Sequence, residues 1–136
     1  MDTAETAKKT APLKILMVED DQADAYLIKR ALRSNPRVGE VVHVRDGVEA
    51  LELIDGRRFQ PDLALLDLQM PRKHGFSLLL ELATRASVAF PSVVLSSSRS
   101  GADRVRTRIR GADQFITKPN SLEKMTRALD EVIAAL

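Results

Sequence analysis

Four groups of side chains along these 136 residues are equipped for chemistry: the acids Glu19, Asp20 and Asp21, the acid Asp67, the hydroxyls Ser96, Ser97 and Ser98, and Lys118. Each stands at or just after a short apolar run: KILMV, LALL, VVL and QFIT. Two carboxylates about 4 Å apart repel by about 4 kcal/mol at an effective dielectric of 20, so a site that gathers several needs a cation or a proton. Hard oxygen ligands with room for water suit Mg²⁺, which keeps several waters and takes one or two carboxylates plus a phosphate oxygen. Asp67 can then act as a nucleophile toward phosphorus, in the manner of aspartyl-phosphate enzymes. Metal and Lys118 would neutralise charge on the transferring group. Cysteine is absent, which excludes disulfides, thiolate metal sites and Cys nucleophiles. His43 alternates with strand valines as a surface or half-buried residue, and His74 has no second His or Cys nearby, so neither marks a zinc site.

The elements that must position these groups alternate along the chain. Lys14 to Val18 reads as a buried strand, Ala23 to Leu32 as a helix on Leu27, Ile28, Ala31 and Leu32, and Ser34-Asn35-Pro36 as its stop. Val41, Val42 and Val44 make a second strand and Asp46-Gly47 a turn. Val48, Leu51 and Ile54 then form the inner face of a helix that Gly56 closes. Leu63 to Asp67 is a third strand ending on a carboxylate. A loop through Pro71 and Gly75 leads into the helix FSLLLELA, and VVLS is a fourth strand. Asp103 to Arg110 has helical spacing with Val105 and Ile109 on one face, Gly111 ends it, and Gln114 to Thr117 is a fifth strand. Asn120 or Ser121 caps a last helix striped by Leu122, Met125, Leu129, Val132, Ile133 and Leu136. Five strands alternating with five helices predict an α/β fold with a parallel sheet covered on both faces. Ligands on such sheets bind at the carboxyl ends of the strands, which is where the four groups fall.

Composition sets the remaining bounds. At 44% hydrophobic and 29% charged residues, with a net charge of +2, the chain fits one soluble domain. No apolar run approaches the ~20 residues of a membrane span, and the opening MDTAETAKKTAP lacks the apolar middle of a secretory signal. We expect a cytoplasmic protein with a flexible tail over 1–12 and one domain over 13–136. The cluster Arg99, Arg104, Arg106, Arg108 and Arg110 reads mainly as a solvated face, with a partner surface as the alternative. Nucleic acid is disfavoured by the 4% aromatic content and the absence of a binding motif.

The pieces LMVEDD, LALLDLQMPRKHG, VVLSSS and GADQFITKP, in this order and separation, resemble the receiver domain of two-component response regulators, the family typified by the bacterial chemotaxis regulator. The resemblance covers residues 13 to 136. It implies a flavodoxin-like, doubly wound (βα)₅ fold with strand order 2-1-3-4-5. It makes Asp67 the phosphoacceptor, Asp20 a direct Mg²⁺ ligand, Glu19 a ligand through water, and the backbone carbonyl of Gln69 a further ligand. Ser96 fills the switch hydroxyl position, where Thr is commoner, and Lys118 matches the phosphate-pairing lysine, with a bond to Pro119 that is typically cis. Phe115 stands where an aromatic side chain swings inward on activation. The side chains of Gln69 and Ser98 occupy positions that tune acyl-phosphate hydrolysis. RDGVEAL with MPRKHG and VVLSSS is also similar to single-domain regulators paired with phytochrome-type kinases. The implied partners are a sensor histidine kinase, a histidine phosphotransfer protein and, from the basic fourth helix beside the apolar last one, a second copy of the chain. With no output domain after the last helix, signalling would run through protein contacts.

Two rivals differ in kind. Haloacid-dehalogenase-like phosphatases also place a nucleophilic Asp after a parallel strand, but need a second Asp two residues on, where this chain has Gln69, and draw their acidic metal ligands from late in the chain rather than from Glu19 and Asp20. A phosphorylation-independent receiver-like module would not need Asp20, Asp67, Ser96 and Lys118 all in place. The expected activity is therefore self-phosphorylation and self-dephosphorylation, without metabolic turnover.

Overall fold

The computed structural model describes residues 12–69, 74–85, 90–98 and 100–136. Residues 1–11 of the expected tail, Pro71 and Arg99 lie outside them. Five strands, β1 (Leu13–Val18), β2 (Val38–Val44), β3 (Leu63–Leu66), β4 (Ser92–Ser96) and β5 (Gln114–Thr117), alternate with α1 (Gln22–Arg33), α2 (Gly47–Asp55), α3 (Gly75–Ala83), α4 (Gly101–Ile109) and α5 (Leu122–Ala134). All pairings are parallel, and the sheet order is β2-β1-β3-β4-β5. The predicted alternation and order are observed.

Near-continuous apolar runs form the central strands because both faces of the sheet are covered. Ile15, Met17, Leu63, Leu65, Val93 and Leu95 share one core cluster with Ile28 and Leu32 of α1 and Met125, Leu129, Val132 and Ile133 of α5. Leu16, Val18, Ala64, Leu66 and Val94 turn the other way, into a cluster with Ala50, Leu51 and Ile54 of α2 and Leu78, Leu79 and Leu82 of α3. Full burial of each Val, Leu, Ile or Met among them contributes roughly 1.5–3 kcal/mol.

Helix starts follow their caps. Asp21, Asp46, Ser100 and Ser121 each accept a hydrogen bond from the backbone N–H three residues on, satisfying a donor that the first turn leaves free. His74 caps α3 by accepting from Phe76 N at 3.3 Å and stacks on the Phe76 ring, centroids 5.2 Å apart. Helix ends depart in detail from expectation. Gly56 caps α2 in ordinary right-handed geometry, and Arg57 takes the left-handed step at φ 54°. Gly111 closes α4 at φ 103°, a conformation that glycine tolerates best.

The largest departure is in α4. Val105 and Ile109, expected to share one apolar face, are 58% and 79% exposed, and Thr107 is the buried residue of this helix. Arginine packing replaces apolar burial. Arg106 lies 3.9 Å from the Phe76 ring centre and Arg104 lies 4.7 Å from that of Phe115. Arg104 and Arg110 also donate to the carbonyls of Phe115 and Phe76. The arginine run is thus in part a structural clamp on aromatic faces, not only a solvated surface.

Candidate functional site

The carboxyl ends of β1, β3, β4 and β5 meet on one edge, and backbone bonds carry the sheet ladder past each strand end. Glu19 N donates to Val44 O, Asp67 N to Val18 O and Lys118 N to Ser96 O. The expected site residues therefore converge without help from long loops. Asp20, Asp67, Gln69, Ser97 and Lys118, joined by Asp24, border an open cleft of about 470 Å³.

One carboxylate oxygen each from Glu19, Asp20 and Asp67 lies within 4.8 Å of the others, with Glu19 and Asp67 buried and Asp20 half-buried. Glu19 is 1% exposed. Its Oε2 accepts from Asp21 N at 3.2 Å, while Oε1 has no aligned hydrogen-bond donor among the described residues. Lys118 Nζ lies 2.9 Å from that oxygen, close enough to pair charges but out of line for a hydrogen bond. Burial, reinforced by the charge of Asp67, pushes the Glu19 carboxyl up to about 7 against the opposing pull of Lys118. A buried oxygen with an ion pair but no hydrogen bond, beside two more carboxylates, is a donor set that a hard divalent cation fits.

The Lys118 ammonium sits among three carboxylates, 2.6 Å from Asp24, 2.9 Å from Glu19 and 3.6 Å from Asp67. Burial works against its charge, but the hydrogen bond to Asp24, the close carboxylate of Glu19 and the charge of Asp67 outweigh it and hold Lys118 well above the usual lysine range. No peptide bond among the described residues is cis, so the Lys118–Pro119 bond is trans, contrary to the expectation from resemblance.

Ser96 is buried at the end of β4, and its Oγ accepts from Ser98 N at 3.1 Å. Ser98 Oγ turns toward α4 and donates to Asp103 Oδ2 at 2.6 Å. Phe115 already lies inward, 8% exposed in the core cluster of Val94 and Ala112, with Arg104 over its ring. Asp21 is the cap of α1, as expected of a helix-starting residue.

Sequence reasoning missed two participants. Asp24 gives Lys118 its shortest contact across 94 residues of sequence, which an acid in the first turn of a helix does not signal. His43 Nε2 lies 2.7 Å from the Glu19 carbonyl and braces the β1 end from β2; its alternation with strand valines carried no such signal.

With this geometry in place, comparison with known proteins defines the class. Residues 15–130 match the response regulator receiver domain, and the chain belongs to that family. It is 32% identical over 137 residues to the probable methanogenesis regulatory protein FilR2 of Methanothrix harundinacea (strain 6Ac), covering 97% of this chain and 88% of FilR2. It is 37% identical over 114 residues to the response regulator MprA of Mycobacterium sp. (strain KMS), covering 84% of this chain and 47% of MprA, so it spans about half the length of that relative. Among solved structures, the phosphorylated cyanobacterial phytochrome response regulator RcpA superposes with a TM-score of 0.83 at 34% identity, covering 90% of this chain and 91% of RcpA. The Mn²⁺-bound response regulator Rcp1 superposes with a TM-score of 0.80 at 28% identity, covering 89% and 91%. The chain is a phosphorelay receiver module of two-component signalling, a class that works with histidine kinases rather than in metabolism. No helix among the described residues is long and apolar enough to cross a membrane.

Proposed function

We propose that Asp67 accepts a phosphoryl group from a phosphohistidine of a sensor histidine kinase, and that the resulting acyl phosphate switches the protein's contacts. The observation that carries this reading is the meeting of Glu19, Asp20 and Asp67 oxygens within 4.8 Å, with the Lys118 ammonium 3.6 Å from Asp67. Asp67 attacks phosphorus, the P–N bond breaks, and the histidine nitrogen leaves with the electron pair and is protonated. Asp20 and Asp67 would hold Mg²⁺ directly, Glu19 through water, and Gln69 through its backbone carbonyl. The bound ion would neutralise charge on the transferring oxygens. Lys118 offsets the charge of about −1.5 to −2 that the product carries. Ser96 gives up its bond from Ser98 N to meet a phosphate oxygen, and Phe115 answers that movement. Gln69 and Ser98 set the access of water to the acyl phosphate.

The kinship with RcpA and Rcp1 supports a phytochrome-type kinase as donor, with a histidine phosphotransfer protein as a further partner, in the cytoplasm. The exposed Val105 and Ile109 on α4 support a homodimer. Acetyl phosphate with Mg²⁺ should add one phosphoryl mass to the wild-type chain and none to Asp67→Asn. An unchanged mass gain in that variant, at the wild-type rate, would remove Asp67 as acceptor.

A further inference from the structure

Lys118 pairs most closely with the acid that has no part in holding metal or phosphoryl. Its backbone is fixed by the bond from Lys118 N to Ser96 O, so the choice among carboxylates lies with the side chain alone. Of its three neighbours, Asp24 is the nearest, at 2.6 Å, and Asp67 the farthest, at 3.6 Å. Asp24 also differs in exposure: its side chain is 38% exposed, against 1% for Glu19 and 7% for Asp67. It can therefore turn to water when Lys118 leaves, whereas the two buried acids cannot.

We infer that Asp24 is a positioning residue for phosphoryl transfer, holding the Lys118 ammonium off Asp67 in the resting protein so that Lys118 must leave Asp24 before it can pair with a phosphoryl group. The inference rests on Asp67 as acceptor. Only the fraction of molecules in which Lys118 has left Asp24 is ready to clasp a phosphoryl oxygen, and apparent affinity falls by that fraction. A half-exposed ion pair holds a group by up to about fivefold in population. Asp24 thus lowers the response to weak donors without touching the reacting atoms.

The test is a beryllofluoride titration at saturating Mg²⁺, followed by NMR, on the wild type, Asp24→Asn, Lys118→Ala and the double variant. Asp24→Asn should bind about three- to fivefold tighter than wild type, and the double variant should match Lys118→Ala. Equal or weaker binding by Asp24→Asn overturns the inference. So does the same gain in the Lys118→Ala background, because the effect is then the loss of one negative charge and does not act through the lysine. Asp24 also favours the start of α1 as a first-turn acid, and that contribution cancels in the comparison. A metal-free readout runs alongside: the unfolding midpoints of the four proteins should be non-additive, and additive midpoints overturn the pairing. If the wild type takes up no beryllofluoride, the Asp67 reading falls and this inference with it. Wild-type uptake with an unchanged Asp24→Asn titration defeats the inference alone.

Discussion

Gly75, the first residue of α3, is packed against the backbone of Asp67: a Cβ built on Gly75 would stand 2.6 Å from the Asp67 carbonyl oxygen and 2.7 Å from Leu68 Cα. Gly75 N also donates to Leu68 O at 3.0 Å, so the chain that leaves the acceptor returns to touch it. Gly75→Ala should therefore destabilise by about 1–3 kcal/mol, as overpacking does, despite the better helix propensity of alanine. Phosphorylation by acetyl phosphate should slow, because the clash moves the Asp67 backbone. Urea unfolding and a mass-resolved phosphorylation time course check both; a variant as stable and as fast as wild type would show that the approach is not tight.

Asp20→Ala should abolish specific Mg²⁺ binding. Asp20 is the half-buried member of the three-carboxylate group, and removing it leaves the buried Glu19 and Asp67. Few protein ligands with waters retained imply weak binding already in the wild type. An NMR titration with Mg²⁺ that matched wild type would take Asp20 out of the site.

The pH dependence of metal-free stability should carry the mark of Glu19. Its carboxyl is pushed up to about 7 from 4.5, chiefly by burial. Between those values the folded chain keeps a proton that the unfolded chain releases, so stability should fall as pH rises across the interval. Lys118, displaced upward from 10.5, stays protonated in both states there and adds no slope. Mg²⁺ favours the carboxylate form and the folded state, so it should flatten the fall. Urea midpoints from pH 5 to 7.5 in EDTA and in Mg²⁺ measure this, with Glu19→Gln as the control that lacks the Glu19 contribution; the same slope in that variant would assign the fall to other groups.

Much of this architecture was legible because parallel strands covered on both faces leave an unmistakable record. LALL is followed directly by Asp67, so strand, end and acceptor were read together, and the same held for KILMV before Glu19 and QFIT before Lys118. Asp24 escaped because its partner is 94 residues away, and a helix-start acid looks the same whether or not a lysine reaches it. The α4 face was misread for a related reason. Its spacing marks Val105 and Ile109, yet what holds the helix is arginine stacked on Phe76 and Phe115, an interaction that apolar periodicity does not record.

Those same exposed residues bear on association. Val105 and Ile109 are exposed large apolar side chains, as Tyr26 and Leu80 are elsewhere on the surface, and these two share one helix with Arg104, Arg106 and Arg108 exposed around them. Beryllofluoride with Mg²⁺ should raise the sedimentation coefficient toward that of a dimer, and Ile109→Glu should prevent it. Identical monomer sedimentation with and without the mimic would defeat the homodimer.

Arg104→Ala should loosen α4 while leaving the sheet intact. This helix buries Thr107 alone, and Thr107 Oγ1 donates to the Arg104 carbonyl within the same helix, so little apolar surface ties α4 to the body. Arg104 supplies two ties at once, a guanidinium 4.7 Å from the Phe115 ring centre and a 3.1 Å hydrogen bond to the Phe115 carbonyl. A surface cation–π contact contributes about 0.5–1 kcal/mol and a hydrogen bond to a charged group about 1.5–3 kcal/mol, less where the guanidinium is exposed and the bond only part-buried. Their loss should raise local opening of α4 without a matching loss of global stability, because the strand cores do not depend on them. Hydrogen exchange separates the two: α4 amides should exchange about tenfold faster in Arg104→Ala, in line with a loss near 1.4 kcal/mol, while β1 and β3 amides keep their rates. Arg108→Ala, an exposed neighbour on the same helix, is the control and should leave α4 exchange unchanged. Equal α4 protection in Arg104→Ala and Arg108→Ala would mean that the Phe115 clamp does not hold the helix.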